Sequence, residues 1–111
     1  MSRGNHLGEF EQLVLLALAR LGRTGYGMTV RREIESTCGR EVSIGSVYAT
    51  LERLTSKGYL SSWHSEPEAR RGGKARRNFR LETTGVRALA HSRDTFSRMW
   101  EGVVLDPEAG T

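Results

Sequence analysis

The sequence predicts a mainly α-helical domain with one small β hairpin. Three amphipathic helical segments are followed by two short runs of strand-forming residues and then by a longer helical pattern. Only a tight turn, residues 40–42, separates the second helix from the third. This order of elements is typical of a winged helix-turn-helix, here with an added C-terminal helix that we expect to mediate dimerisation.

Length and composition limit the chain to one globular domain. It has 111 residues, of which 37% are hydrophobic and 27% are charged, enough for a single modest core. No apolar run reaches the roughly eighteen residues that a membrane span needs. Residues 1–6 lack the apolar core of a secretory signal, and the single cysteine, Cys38, excludes an internal disulfide. We therefore expect a cytoplasmic protein that makes no contact with a membrane.

Two amphipathic helices open the domain. In the first, residues 10–21, apolar side chains recur at steps of three and four, and Gly22 is expected to end it. Residues 24–27 are interpreted as a flexible connector. Apolar residues at four-residue spacing predict the second helix, which we expect to end at Gly39.

The third helix carries the predicted DNA contacts. Ser43 is a good N-terminal cap, and Gly58 is expected to stop the helix after Lys57. One side is apolar, while small residues on the other side let the backbone approach a surface closely. The candidate contacts to base edges or phosphates in the major groove are Ser43, Ser46, Tyr48, Ala49, Thr50 and Arg53. A plain amphipathic surface helix is the alternative, and the Tyr48 ring could belong to the core instead of placing its hydroxyl on a phosphate.

The predicted hairpin, or wing, pairs residues 59–64 with residues 77–81 and has a long charged tip. Residues 67–81 hold six basic residues against one acid, whereas the rest of the chain is close to neutral. Such segregation is expected where a protein meets a polyanion, although a solvated charged loop is the alternative. The predicted phosphate or minor-groove cations of the wing are Arg70, Arg71, Lys74, Arg76 and Arg77.

The last helix is predicted over about residues 85–104, with Thr83 or Thr84 as its cap. Residues seven apart, in sets starting at Val86 and Leu89, form a seam of the kind that pairs helices; a helix packed only on its own domain is the alternative. The predicted dimer interface consists of Leu89, Arg93, Phe96, Trp100 and Val103. The expected organisation is a flexible tail (1–6), a winged helix-turn-helix (7–82), a dimerisation helix (83–105) and a second tail (106–111).

No arrangement of residues predicts an enzyme or a cofactor site. His6, His64 and His91 are far apart in the chain, and no acidic partner or cysteine pair stands at a ligand spacing. We therefore expect no catalytic residue, no metal and no other cofactor. Cys38, at a helix end, is expected to be a buried or half-buried small residue rather than a redox sensor.

Several motifs, taken in order over roughly residues 7–105, resemble the PadR family of transcriptional regulators. They are Leu7-Gly8-Glu9-Phe10-Glu11 leading into Leu15-Leu16-Ala17-Leu18, Gly25-Tyr26-Gly27, Ser43-Ile44-Gly45-Ser46-Val47-Tyr48-Ala49-Thr50-Leu51-Glu52-Arg53-Leu54, Lys57-Gly58-Tyr59-Leu60 and Phe79-Arg80-Leu81-Glu82-Thr83-Thr84-Gly85. The resemblance implies a dimeric winged-helix repressor whose last helix pairs with that of a partner subunit, often responsive to small aromatic molecules. The single C-terminal helix of modest length resembles the short subclass, and Glu82 stands where a threonine is common.

These observations predict a function. We expect a homodimeric, sequence-specific transcriptional regulator that binds a pseudo-palindromic operator in double-stranded DNA and represses. Phe96 and Trp100 are the candidate contacts of a small aromatic effector that releases the repressor, and a closed aromatic core at the dimer axis is equally compatible with the sequence. The alternative is a winged-helix protein-interaction module or a non-specific nucleic-acid-binding module.

Overall fold

The described residues, 6–65 and 76–109 of this computed structural model, form four α-helices and one antiparallel sheet. The helices are α1 (Glu9–Arg20), α2 (Gly27–Cys38), α3 (Ile44–Ser56) and α4 (Thr83–Trp100). The strands are β1 (Thr24–Gly25), β2 (Leu60–His64) and β3 (Arg77–Leu81), and a 3-10 helix spans Pro107–Ala109. This order confirms the predicted winged helix-turn-helix architecture with an added C-terminal helix.

The sheet contains the predicted hairpin and a third strand that the sequence analysis did not anticipate. β2 and β3 pair antiparallel, with Leu60 opposite Leu81 and His64 opposite Arg77. β1 pairs with the other edge of β3, so the strand order is β1-β3-β2. The interpretation of residues 24–27 as a flexible connector is therefore wrong, because Thr24 and Gly25 pair with β3, Tyr26 caps α2 and Gly27 begins it. A two-residue strand is too short to produce a recognisable alternation of side chains.

The core lies where the first three helices meet the inner face of the sheet. Its largest fully buried side chains include Phe79, Leu15, Leu18, Leu51 and Leu54. α4 starts tightly against this core, since a Cβ at Gly85 would lie 2.6 Å from the carbonyl oxygen of Tyr59. Val86 and Leu89 pack against the core, and every residue of α4 after Ser92 is exposed. The second half of α4 therefore projects from the domain.

α4 ends earlier than predicted. Its last residue is Trp100, and Gly102 adopts the left-handed conformation at φ 74° that glycine tolerates. Val103, predicted as the last position of the seam, therefore lies outside the helix and does not continue its apolar face. The expected tail of residues 106–111 contains the 3-10 helix, and residues 110–111 lie outside the described part.

Candidate nucleic-acid interface

Small side chains occupy the exposed face of α3 at its N-terminal end. Ser43 caps the helix as predicted, because its hydroxyl accepts the Ser46 N–H at 3.1 Å. The same hydroxyl donates to Ser46 Oγ at 2.8 Å. Gly45 and Ala49 are also exposed, and Ala49 follows Ser46 by three residues, on the same face. No bulky side chain of this set keeps another molecule away from the helix backbone.

Tyr48 packs across the start of α2. A Cβ added at Gly27 would collide with the Tyr48 ring, so only glycine at this position lets the ring lie so close to the α2 backbone. The residue is nevertheless exposed at the surface. The ring therefore packs on the edge of the domain, and contact of its hydroxyl with a phosphate stays a prediction.

Thr50 does not lie on the exposed face. It is only 3% exposed, and its Oγ1 accepts a 3.4 Å hydrogen bond from Arg53. The sequence places Thr50 at the border of the apolar stripe, and this border turns inward because α3 packs against both α1 and α2. The prediction of a base contact by Thr50 is therefore corrected: its hydroxyl supports Arg53 instead.

The guanidinium of Arg53 is held by a buried carboxylate. Arg53 Nε donates to Glu11 Oε2 at 3.0 Å, and Lys57 Nζ donates to the same oxygen at 2.9 Å. Glu11 lies on α1, and its Oε1 accepts the Gly8 N–H at 2.9 Å. Burial raises the pKa of Glu11, but the hydrogen bonds from Lys57, Gly8 and Arg53 outweigh burial and lower this pKa below its ordinary value. The sequence analysis missed this role, whose only local signal is a glutamate three residues after a helix cap.

Two of the predicted wing cations lie in the described residues, and both have partners. The guanidinium carbon of Arg76 lies 4.0 Å from the centre of the Tyr26 ring. Arg77 is ion-paired with Glu52 of α3 and donates to Ser62 Oγ at 3.0 Å. Arg76 is exposed, whereas Arg77 is engaged within the domain. The predicted wing cations that lie outside the described residues are Arg70, Arg71 and Lys74.

These contacts bring the wing and α3 to the same end of α2. Arg76 stacks on Tyr26, the N-terminal cap of α2, and Tyr48 packs on Gly27, the next residue. A cation, two phenol hydroxyls and the first N–H groups of a helix can all bind phosphate oxygens. We call the exposed set on this side of the domain the α3/wing surface, and it consists of Ser43, Ser46, Tyr48, Ala49, Arg53 and Arg76.

A groove between α1 and α4 is the second candidate site. Its volume is about 610 Å³, and Leu16 of α1 forms one of its walls. Phe96 and Trp100 of α4 line it while remaining 58% and 56% exposed. Leu89 and Arg93 line it as well, so the groove brings together four of the five residues predicted for the dimer interface.

Neither a metal-binding cluster nor a membrane-spanning helix is found in the described residues. No three His, Cys, Asp or Glu side chains in these residues come together to hold a metal ion. Over the same residues, no helix has both the length and the apolar character needed to cross a membrane.

Cys38 is exposed, which corrects the expectation of a buried or half-buried thiol. It is the last residue of α2, just before the left-handed Gly39.

Sequence comparison gives one family match. Residues 14–91, most of the chain, match the model of the transcriptional regulator PadR-like family. No curated protein matches the sequence. The matched residues include α2, α3 and the sheet, and therefore both elements that form the α3/wing surface.

Solved structures show the same fold. A PadR family transcription regulator from Clostridium difficile is 21% identical, with a TM-score of 0.69 over 85% of this chain and 93% of that one. A PadR family transcriptional regulator from Eggerthella lenta is 24% identical, with a TM-score of 0.66 over 85% and 81%. The winged-helix DNA-binding protein F93 from STIV is 16% identical, with a TM-score of 0.68 over 85% and 94%. These likenesses confirm the winged-helix fold.

Proposed function

This chain belongs to the PadR-like family of transcriptional regulators, and we propose that it acts as a homodimer that binds a pseudo-palindromic operator in double-stranded DNA. The observation that carries the proposal is the α3/wing surface, in which Arg53 shares an exposed face of α3 with small residues and Arg76 stacks on Tyr26, next to the glycine on which Tyr48 of α3 packs. Small residues allow α3 to approach base edges, while the cations suit phosphates. The similar protein from STIV is a winged-helix DNA-binding protein, which supports this assignment. A regulator of this kind works where the DNA is, so a cytoplasmic location is part of the proposal.

The dimer rests on the projecting half of α4. Phe96 and Trp100 are large, exposed and only one turn apart, and together with Leu16 they form a contiguous apolar surface. Large exposed apolar side chains that are grouped in one patch favour an interaction site, whereas singly scattered ones are ordinary on a protein surface. A second copy related by a two-fold axis would cover it, and binding to two half-sites requires that this pairing set the two α3 helices roughly 34 Å apart, one turn of DNA.

We also propose that the protein represses and that a small aromatic molecule releases it. The groove of about 610 Å³ has the size of a small-molecule site. Phe96 and Trp100 offer two aromatic faces against which a flat ligand can stack. A ligand that favours one arrangement of the α4 pair would change the spacing of the two α3 helices and so the affinity for the operator.

The decisive experiment is selection of bound sequences from random duplex DNA, followed by titration of the selected duplex and a scrambled one. We expect inverted half-sites and an affinity ratio of about a thousand or more. Equal affinities would instead identify a non-specific nucleic-acid-binding module, and absence of binding a protein-interaction module. A reporter gene placed behind the selected operator then tests repression. Recovery of reporter expression when planar aromatic compounds are added tests release of the repressor.

A further inference from the structure

We infer that Glu11 is the positioning residue of the α3/wing surface: it fixes the guanidinium of Arg53 in the orientation that the DNA contact requires. This inference rests on the proposed DNA binding and deepens it. Glu11 lies on α1, and its side chain is only 7% exposed, so it acts through Arg53 and does not touch DNA.

The two carboxylate oxygens of Glu11 have separate partners. Oε1 accepts the Gly8 N–H at 2.9 Å, which ties the carboxylate to the first turn of its own helix. Oε2 accepts Arg53 Nε at 3.0 Å and Lys57 Nζ at 2.9 Å. Rotation of the carboxylate would break bonds on both oxygens at once. The position of Oε2 is therefore set by the start of α1 and not by the flexible side chains of α3.

This anchoring determines the orientation of the Arg53 guanidinium. A guanidinium has its five N–H donors in one plane, so fixing the Nε edge fixes the direction of the others. The Arg53 side chain remains 52% exposed although Nε donates to the buried Glu11 carboxylate, so part of it stays available to DNA. Thr50 Oγ1 lies 3.4 Å from Nη2 and supports the same orientation. An arginine held in this way loses less conformational freedom when it binds a base or a phosphate.

Lys57 gives the ion-pair cluster of Glu11, Arg53 and Lys57 a net positive charge. One carboxylate faces two cations, so Arg53 retains attraction for DNA although it is ion-paired. Lys57 also supplies an internal comparison, because it contacts the same Glu11 oxygen from the C-cap of α3, and its ammonium, which only donates, forms no hydrogen bond with the Arg53 guanidinium. If the ion pairs of Glu11 served only to stabilise the fold, replacing Glu11 and replacing Lys57 would change DNA binding in the same way.

The test compares Glu11→Gln, Arg53→Ala, Lys57→Met and, as matched control, Glu9→Gln. Glu9 is also on α1 and pairs with an arginine, Arg40, at 2.9 Å, but it is exposed and its partner lies between α2 and α3. The readout is the ratio of affinities for the selected operator and for single-base-pair variants of it. Both affinities come from one protein sample, so an inactive fraction cancels in the ratio.

We expect Arg53→Ala to lower this ratio by about 5- to 150-fold at one base pair. Glu11→Gln should lower the ratio at the same base pair by about fivefold or more. The double variant Glu11→Gln with Arg53→Ala should lower the ratio no further than Arg53→Ala alone. Glu9→Gln and Lys57→Met should keep most of the ratio. If Glu11→Gln does not fold, Glu11→Asp, whose shorter side chain displaces the guanidinium, must lower the ratio instead.

An unchanged ratio in Glu11→Gln, or in Glu11→Asp where that variant is needed, overturns the inference while the proposed function stands. Equal losses in Glu11→Gln and Lys57→Met, or an unchanged ratio in Arg53→Ala, also overturn it. A wild-type protein that prefers no sequence refutes the proposed function itself, so the two failures are distinguishable.

Discussion

Arg77 of β3 is ion-paired with Glu52 of α3, and this contact ties the wing to the helix that carries the predicted base contacts. The Glu52 side chain is 52% exposed, so without a partner it would place a negative charge beside the proposed DNA phosphates. Arg77 also donates to Ser62 Oγ of β2 at 3.0 Å, which holds the guanidinium on the sheet. In the free protein, Arg77 therefore neutralises Glu52 and fixes the wing relative to α3.

Removing Arg77 should weaken operator binding mainly by exposing the charge of Glu52. We expect Arg77→Ala to lower affinity by about two- to fivefold, as for a partly exposed ion pair. The double variant Arg77→Ala with Glu52→Gln should recover most of this loss, because the repulsive charge is gone. Fluorescence anisotropy titrations of labelled operator measure the affinities of the single and the double variant. If the double variant binds as weakly as Arg77→Ala, then Arg77 itself contacts a phosphate.

Arg76 should behave as a phosphate ligand. Replacing it with alanine is expected to lower affinity for operator and random DNA alike and to reduce the slope of log affinity against log salt concentration by about 0.9. Arg76→Lys should keep the slope but lose the stacking on Tyr26. Arg98 on α4, which does not line the groove, is the control, and Arg98→Ala should leave the slope unchanged. A wild-type slope in Arg76→Ala would contradict the assignment.

Periodicity and glycine stops predict the first three helices and the hairpin of this chain well, because both are local features, whereas the predicted bounds of α4 are shifted. Gly39 ends α2 and Ser43 caps α3 as the sequence indicates. The burial of Thr50 is different, since a residue at the edge of an apolar stripe turns inward or outward according to which helices pack beside it. A single chain does not contain that information in its local pattern.

The candidate site depends still more on tertiary contacts. Glu11 and Arg53 are 42 residues apart, and neither stands in a motif that points to the other. The pairing of Arg77 with Glu52 spans 25 residues in the same way. Charge counting therefore indicates which segment is basic, but not which of its cations remain available to a phosphate.

Acid should destabilise the protein through Glu11. The pKa of this carboxyl is lowered in the folded state, so the stability from its ion pairs is complete above the unfolded value of about 4.5 and is lost as pH falls through the lowered folded value. Glu11→Gln should reduce the free energy of unfolding at pH 7 by about 1 to 3 kcal/mol. Urea unfolding at pH 7 and near pH 3 measures whether this difference shrinks in acid, as we expect. A difference that stays constant with pH would mean that the charge of Glu11 is not responsible.

Trp100 should be required for dimerisation. Truncation of a buried aromatic side chain typically costs about 3 to 5 kcal/mol, and the described residues 6–65 and 76–109 leave Trp100 56% exposed, so a second copy is what we expect to bury it. Trp100→Ala should therefore sediment as a monomer at concentrations where the wild type is a dimer. Met99→Ala is the matched control, because Met99 is exposed on the same turn but does not line the groove.

The effector proposal can be tested with the same tryptophan. The chain has two tryptophans, so Trp63→Phe leaves Trp100 as the only indole emitter. Planar aromatic compounds that enter the groove should change its emission and lower operator affinity, and operator DNA should weaken their binding by the same factor, because coupling between two sites is reciprocal. A ligand that changes the emission but not the affinity for DNA would show a site without coupling. A wild-type protein that sediments as a monomer at micromolar concentration would refute the dimer and, with it, this route from the groove to the operator.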